Sequence, residues 1–253
     1  MGRLLAIICG VLALGAAHAA DRITVAAAAD LALCLQDLDA AFQRQHPGAE
    51  IRAVTGSSGN FFAQIRNGAP FDVFLSADLS YPKQLAEAGL ADPDSLTLYA
   101  VGHLVLWSTN PAVDVSRGLA VLDSAAVRKF AIANPDVAPY GRAARSALER
   151  AGLWQRLQPK LVTGENIAQT AQFVQTGNVD AGIVALSLVL APAAAGSGKY
   201  FRIPQDQYPR LDQAAIVTAQ GRGNALAAVY LAFLRSPEAR AVFDRYGFLL
   251  PEK

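Results

Sequence analysis

Cysteine is almost missing from this chain, with Cys9 and Cys34 the only two among 253 residues. Cys9 lies in the apolar N-terminal run, so the rest of the chain has no second thiol for an internal disulfide or a cysteine-built metal site. Histidine is nearly as scarce, at His18, His46 and His103. Neither H-E-x-x-H nor C-x-x-C spacing occurs, and no serine stands in a G-x-S-x-G turn, which argues against zinc hydrolysis and a nucleophilic triad. The glycine-lysine pair at Gly198-Lys199 does not complete a phosphate loop, because Ala193 holds the first glycine position and Tyr200 the Ser/Thr position. Charge of one sign is lacking too, with 22 basic against 21 acidic residues. A nucleic-acid binder would need a basic face. After the N-terminus no apolar run reaches the length that spans a bilayer.

What is present is apolar content, 53% hydrophobic against 17% charged, enough to bury a large core and exclude disorder. Residues 1–19 read as a secretory signal peptide. Arg3 precedes an apolar stretch, and Ala17-His18-Ala19 offers small residues for cleavage after Ala19. The stretch is too short for an anchor, and the residues before Cys9 do not suit lipidation. Loss of Arg3 with this leader brings the basic residues level with the acidic ones, in a chain expected to be exported and soluble. The sequence reading calls for no free metal cation and no cofactor.

The chain is organised around Thr55 to Asp78. A small-residue turn (Gly56, Ser57, Ser58, Gly59, Asn60) leads into Phe61, Phe62 and Ile65 at helical spacing, and Phe71 to Ser76 reads as the returning strand. Open amides at such a helix start, glycines that let the backbone approach and serine hydroxyls all favour an anion. The same strand, turn and helix order recurs elsewhere. Arg22 to Ala29 is a strand, and a helix is expected from Asp30 to Gln45 with Asp30 as N-cap and Leu31, Cys34, Leu35, Leu38 and Phe42 on its buried stripe. Arg128 to Ala133 is a strand ending in the turn before Tyr140 and Gly141. Lys160 to Val162 leads into Gly164-Glu165-Asn166-Ile167 and another helix. Further strands are expected at Ala181 to Leu186, Tyr200 to Ile203 and Ala214 to Thr218, with helices at Tyr81 to Ala88, Ala225 to Leu234 and Pro237 to Tyr246.

This alternation predicts an α/β fold with mixed, mostly parallel sheets carrying helices on both faces, and ligands at the carboxyl ends of strands. The long β-rich run from Leu96 to Ser108 reads as a crossing between lobes, and the chain is expected to return near Tyr208. Lobe one is then 20–103 plus 208–253, and lobe two 104–207. Ala191 to Gly198 reads as a surface loop. Asp72 and Asp78 read as caps or solvated strand ends, and Trp107 and Trp154 as packing residues. The turns carry neutral donors and almost no cations, Arg142 being the nearest. Pre-aimed neutral donors can hold a small dianion once water is excluded. The residues therefore point to an exported two-lobed receptor for a small tetrahedral oxyanion.

The segments A-A-A-A-D-L (Ala26 to Leu31), G-S-S-G-N-F-F-A-Q-I-R-N-G-A-P-F-D-V-F-L-S-A-D, I-A-N-P-D-V-A-P-Y-G-R-A-A (Ile132 to Ala144), G-E-N-I-A-Q-T-A-Q-F-V-Q-T-G (Gly164 to Gly177) and the ending R-Y-G-F resemble the periplasmic molybdate-binding proteins of ABC importers, in order along the whole mature chain. The resemblance implies a type II periplasmic binding fold, molybdate or tungstate as ligand, an inner-membrane ABC permease as partner, a monomer and a periplasmic location. It places Asp30 and Ser58 on the ligand from lobe one with Ser57 adjacent, and Tyr140 and Ile167 from lobe two, Ile167 through its backbone N–H.

Two departures matter. Ala185 stands where some members have a tyrosine, so a phenol donor would come from Tyr140. Asp30 stands where many have Ser or Asn. A carboxylate about 4 Å from each unit of oxyanion charge costs on the order of 4 kcal/mol at an effective dielectric of about 20. Either Asp30 turns its carboxylate onto its own helix amides as an N-cap, or a protonated Asp30 donates to the ligand. Other oxyanions such as sulfate or phosphate remain alternatives, as does an exported enzyme on the same scaffold with Asp30 as base and Tyr140 as acid.

Overall fold

The computed structural model describes residues 22–251; the expected leader, with Arg3 and Cys9, lies outside the described residues. Apolar runs and helical stripes alternate along the chain, and the structure turns them into two five-stranded sheets. The first lobe begins β1 (Arg22–Ala28), α1 (Leu35–Gln45), β2 (Glu50–Gly56), α2 (Ser58–Arg66), β3 (Val73–Ser76), α3 (Ser80–Glu87) and β4 (Thr97–Gly102). The chain then crosses into β5 (Leu104–Ser108), β6 (Phe130–Ala133), α4 (Pro139–Arg150), the short α5 (Trp154–Leu157), β7 (Leu161–Gly164), α6 (Ile167–Gln175), β8 (Ala181–Ala185), α7 (Leu186–Leu190) and β9 (Lys199–Arg202). It returns through β10 (Leu211–Val217), α8 (Ala225–Phe233) and α9 (Pro237–Arg245).

The sheet orders are β2-β1-β3-β10-β4 and β7-β6-β8-β5-β9. In each sheet one strand opposes the other four: β10 runs against β3 and β4, and β5 against β8 and β9. Only His103 separates β4 from β5, so the handover between sheets takes a single residue. Gly102 is required there, because a Cβ at this position would run into the Tyr140 hydroxyl and the Gln213 amide.

Residues alternate between the faces of the first sheet with the period of a strand. Val25, Ala27, Val73 and Leu75 pack with Phe42, Tyr230 and Phe243 from α1, α8 and α9, while Ala26 and Phe74 pack with Phe61, Ile65 and Leu85 from α2 and α3. The second lobe closes around Trp107, Phe130, Ile132, Leu148 and Val174. Cys34 is buried beside Leu31, Leu35 and Leu38, as its stripe implied. Trp107 is a packing residue whose Nε1 donates to the Ser197 carbonyl at 2.8 Å, and the Arg145 guanidinium lies 5.2 Å from the Trp154 ring centre. Among the described residues no helix is long and apolar enough to cross a membrane.

One expected helix is corrected. Ala29 to Leu31 form a 3-10 turn, and α1 begins only at Leu35 with Cys34 at its N-cap. Asp30 therefore does not cap α1. Its carbonyl accepts from the Ser187 hydroxyl of α7, and its carboxylate accepts from Tyr140 and Gln213. These partners, remote in sequence, hold Asp30 in a turn facing the second lobe.

Candidate functional site

The strand-to-helix turns of both lobes meet in one cavity. Asp30 enters after β1, Ser57 between β2 and α2, Ser58 as the first residue of α2, Tyr140 on the first turn of α4, and Ile167 at the start of α6. All five residues singled out in the sequence line this space, with Ala77 from the end of β3 beside them. The cavity is small, about 10 Å³, close to the room that one water needs.

Local sequence decides which amides face the cavity. At the start of α6 the Asn166 side chain accepts from the amides of Ala168 and Gln169, both at 3.0 Å, and leaves the Ile167 N–H without a protein acceptor. At the start of α4 Pro139 has no N–H, so Tyr140 presents the first one, also without a protein acceptor. The Ser58 amide opens α2 and likewise donates to no protein group, whereas the next amide, Gly59, donates across the lobes to the Val137 carbonyl at 2.9 Å. The Ser58 hydroxyl accepts from the Ala77 amide at 3.0 Å, which leaves its own hydrogen free to donate.

Two buried side-chain oxygens of the cavity have no partner, Ser57 Oγ and Asp30 Oδ1. Buried polar atoms are ordinarily paired, so orphans converging on one cavity mark a place for a polar ligand. No cation lines it. Arg142 is engaged outside, with Asp78 Oδ2 at 2.5 Å and the Tyr81 hydroxyl at 2.9 Å, in a further link between the lobes. Asp78 also accepts from the Ser80 amide at the start of α3, as a cap would, whereas Asp72 ties β3 to β1 by accepting from the amide and hydroxyl of Thr24.

Asp30 is 1% exposed. Its Oδ2 accepts from the Tyr140 hydroxyl at 3.0 Å and from Gln213 Nε2. Burial pushes its carboxyl up to about 6, against the opposing pull of Gln213, Tyr140 and the amides of Asp30 and Leu31. The Gln213 amide is oriented in turn by the Tyr99 hydroxyl, which donates to its Oε1 at 2.8 Å. The phenol of Tyr140, expected as a ligand donor, gives its hydrogen to Asp30 in this arrangement.

Gln213, Tyr99 and Ser187 went unnoticed in the sequence. Gln213 carried a signal: it is a long polar residue inside the apolar run of β10, at the point where the pairing of β10 with β4 shifts register. Ser187 carried none, since α7 follows β8 directly and reads as its continuation.

Two α/β lobes whose helix starts enclose one small, cation-free, donor-lined cavity define a receptor for a compact anionic solute. In agreement with that class, the chain matches the bacterial extracellular solute-binding protein family over residues 23–249 and belongs to it. It is 42% identical to the molybdate-binding protein ModA of Rhodobacter capsulatus over 239 residues, covering 94% of this chain and 92% of the relative. The ModA of Azotobacter vinelandii is 40% identical, with 92% and 91% covered. The solved periplasmic molybdate-binding protein of Azotobacter vinelandii superposes with a TM-score of 0.86 at 34% identity, covering 91% of this chain and all of that one. A sulfate-binding protein of Mycobacterium tuberculosis shares the fold, with a TM-score of 0.74 at 15% identity.

Proposed function

We propose that this protein captures molybdate, and with it tungstate, in the cavity between the lobes, and delivers it to an ABC permease of the inner membrane after export to the periplasm. The observation that carries this reading is the convergence of helix starts from both sheets on one compact, cation-free cavity. The relatives named for molybdate binding support the choice of anion. In this reading the amides of Ser58, Tyr140 and Ile167 and the hydroxyls of Ser57 and Ser58 hold the anion oxygens, and Asp30 sits against one of them. Neutral donors suffice in a dry site, where charge-assisted hydrogen bonds are about twice as strong as neutral ones.

Binding rather than catalysis is the role proposed, since the relatives are named as binding proteins. Thermal melts with molybdate, tungstate, sulfate, phosphate and chromate test the proposal. A ligand at about 100 times its dissociation constant adds roughly 2.7 kcal/mol of stability. Molybdate and tungstate should raise the melt above the other anions; a melt that no oxyanion moves refutes the reading.

A further inference from the structure

We infer, on the basis of that oxyanion reading, that the anion is bound together with one proton taken from solvent, and that this proton rests on Asp30 Oδ1 and is donated to an oxygen of the ligand. The assignment follows from counting donors. Tyr99 donates to Gln213 Oε1 and so turns Gln213 Nε2 towards Asp30. Gln213 Nε2 and the Tyr140 hydroxyl then both donate to Oδ2 of Asp30. With Oδ2 occupied by two donors, the hydrogen of a neutral carboxyl belongs on Oδ1. Oδ1 is buried without a partner in a residue that lines the cavity. A bare carboxylate oxygen there would meet ligand oxygens of the same sign with nothing between them. One hydrogen converts that repulsion into a charge-assisted hydrogen bond, and no bond of the anion is made or broken.

The amides of Asp30 and Leu31 offset the burial of the carboxyl only in part, and no charged group does the rest. The titratable groups facing Asp30 are the Cys34 thiol ahead of α1, Tyr99 of β4 and Tyr140 of α4, and burial pushes all three well above their ordinary values, so each stays neutral. Helices α6 and α7, packed against the Asp30 turn, carry no titratable residue. On β2, Arg52 pairs with Glu50 in solvent; on β10, Asp212 pairs with Arg210; on α4, Arg142 pairs with Asp78. An ionised Asp30 thus has no cation to offset it, and its carboxyl, raised to about 6, is within reach of protonation when a second negative group arrives.

Calorimetry of molybdate binding in two buffers of different ionisation heat reads the proton directly. At about pH 7.5 uptake should approach one proton per anion, and above about pH 6 the dissociation constant should rise by up to about tenfold per pH unit. In Asp30→Asn the side-chain amide supplies a permanent N–H, so uptake should vanish and the affinity should lose its dependence on pH. Wild-type binding with no uptake and a flat pH profile overturns the inference while leaving the oxyanion reading intact. Uptake that persists in Asp30→Asn places the proton on the anion itself and also overturns it. If wild-type protein binds no oxyanion at any pH, the oxyanion reading and this inference fall together. Should the variant not fold, the wild-type uptake and slope decide alone.

Discussion

The main-chain N–H of Gly59, on the first turn of α2, donates to the carbonyl of Val137 in the other lobe at 2.9 Å. A Cβ on Gly59 would stand 2.5 Å from that same carbonyl oxygen, a backbone atom with little freedom to withdraw. The approach of the two lobes is therefore set at a residue that has no side chain.

Gly59→Ala should hold the lobes apart. The substitution favours α2 itself, since alanine is the better helix former by about 1 kcal/mol, while the hydrogen bond to Val137 is worth about 1 kcal/mol. The expected outcome is a dissociation constant for molybdate weaker by about tenfold or more, with the ligand-free melt little changed. Calorimetry beside a melting curve checks both halves.

Asp30 carries a stability signature that needs no ligand. Its carboxyl is raised from 3.8 to about 6 on folding, chiefly by burial, so the folded state holds this proton more tightly than the unfolded one. Below 3.8 the group is protonated in both states and costs nothing. As pH rises from 3.8 to about 6 stability is lost, and above that the cost is complete at about 3 kcal/mol. Asp30→Asn should melt higher than wild type at neutral pH, and the gap should close at acid pH. Asp39, also raised to about 6 by burial, titrates in both proteins, so the difference between them isolates Asp30.

Arg142 joins the lobes from outside the cavity, and its pair with Asp78 is partly exposed. Such pairs contribute up to about 1 kcal/mol and weaken with salt. Arg142→Ala should weaken molybdate binding by about two- to fivefold at low ionic strength and remove most of the salt dependence of the affinity, measured by titration across a salt series.

Ser58→Ala removes a hydroxyl that lines the cavity and accepts from the Ala77 amide, which is left unpaired. The loss of a ligand donor should cost about 1–2 kcal/mol of binding, or about five- to thirtyfold in affinity, and the unsatisfied amide should lower the melt. A variant that binds molybdate as tightly as wild type removes Ser58 from the site.

Most of the fold was legible because apolar period and turn chemistry agree along the chain. The Val25 and Phe74 runs, the Gly56–Gly59 turn and the Ile167 stripe each announce their element locally. Reading the turns together also gathered the residues that line the cavity, since helix starts follow strand ends. The network around Asp30 was not legible. Its partners lie 110, 157 and 183 residues away, at Tyr140, Ser187 and Gln213, and no local pattern announces contacts at that range. For the same reason the expected helix at Asp30 gave way to a turn: an aspartate ahead of a helical stripe reads as a cap until a distant glutamine and tyrosine take its carboxylate.

A cage with no fixed positive charge grips only while it is dry. Amides and hydroxyls aimed at an anion compete poorly with bulk solvent, so a gap of one water diameter between the lobes suffices to loosen the hold. Unloading such a protein takes no displacing counter-ion: once the two sheets part, the cargo returns to water and the proton of Asp30 to solvent.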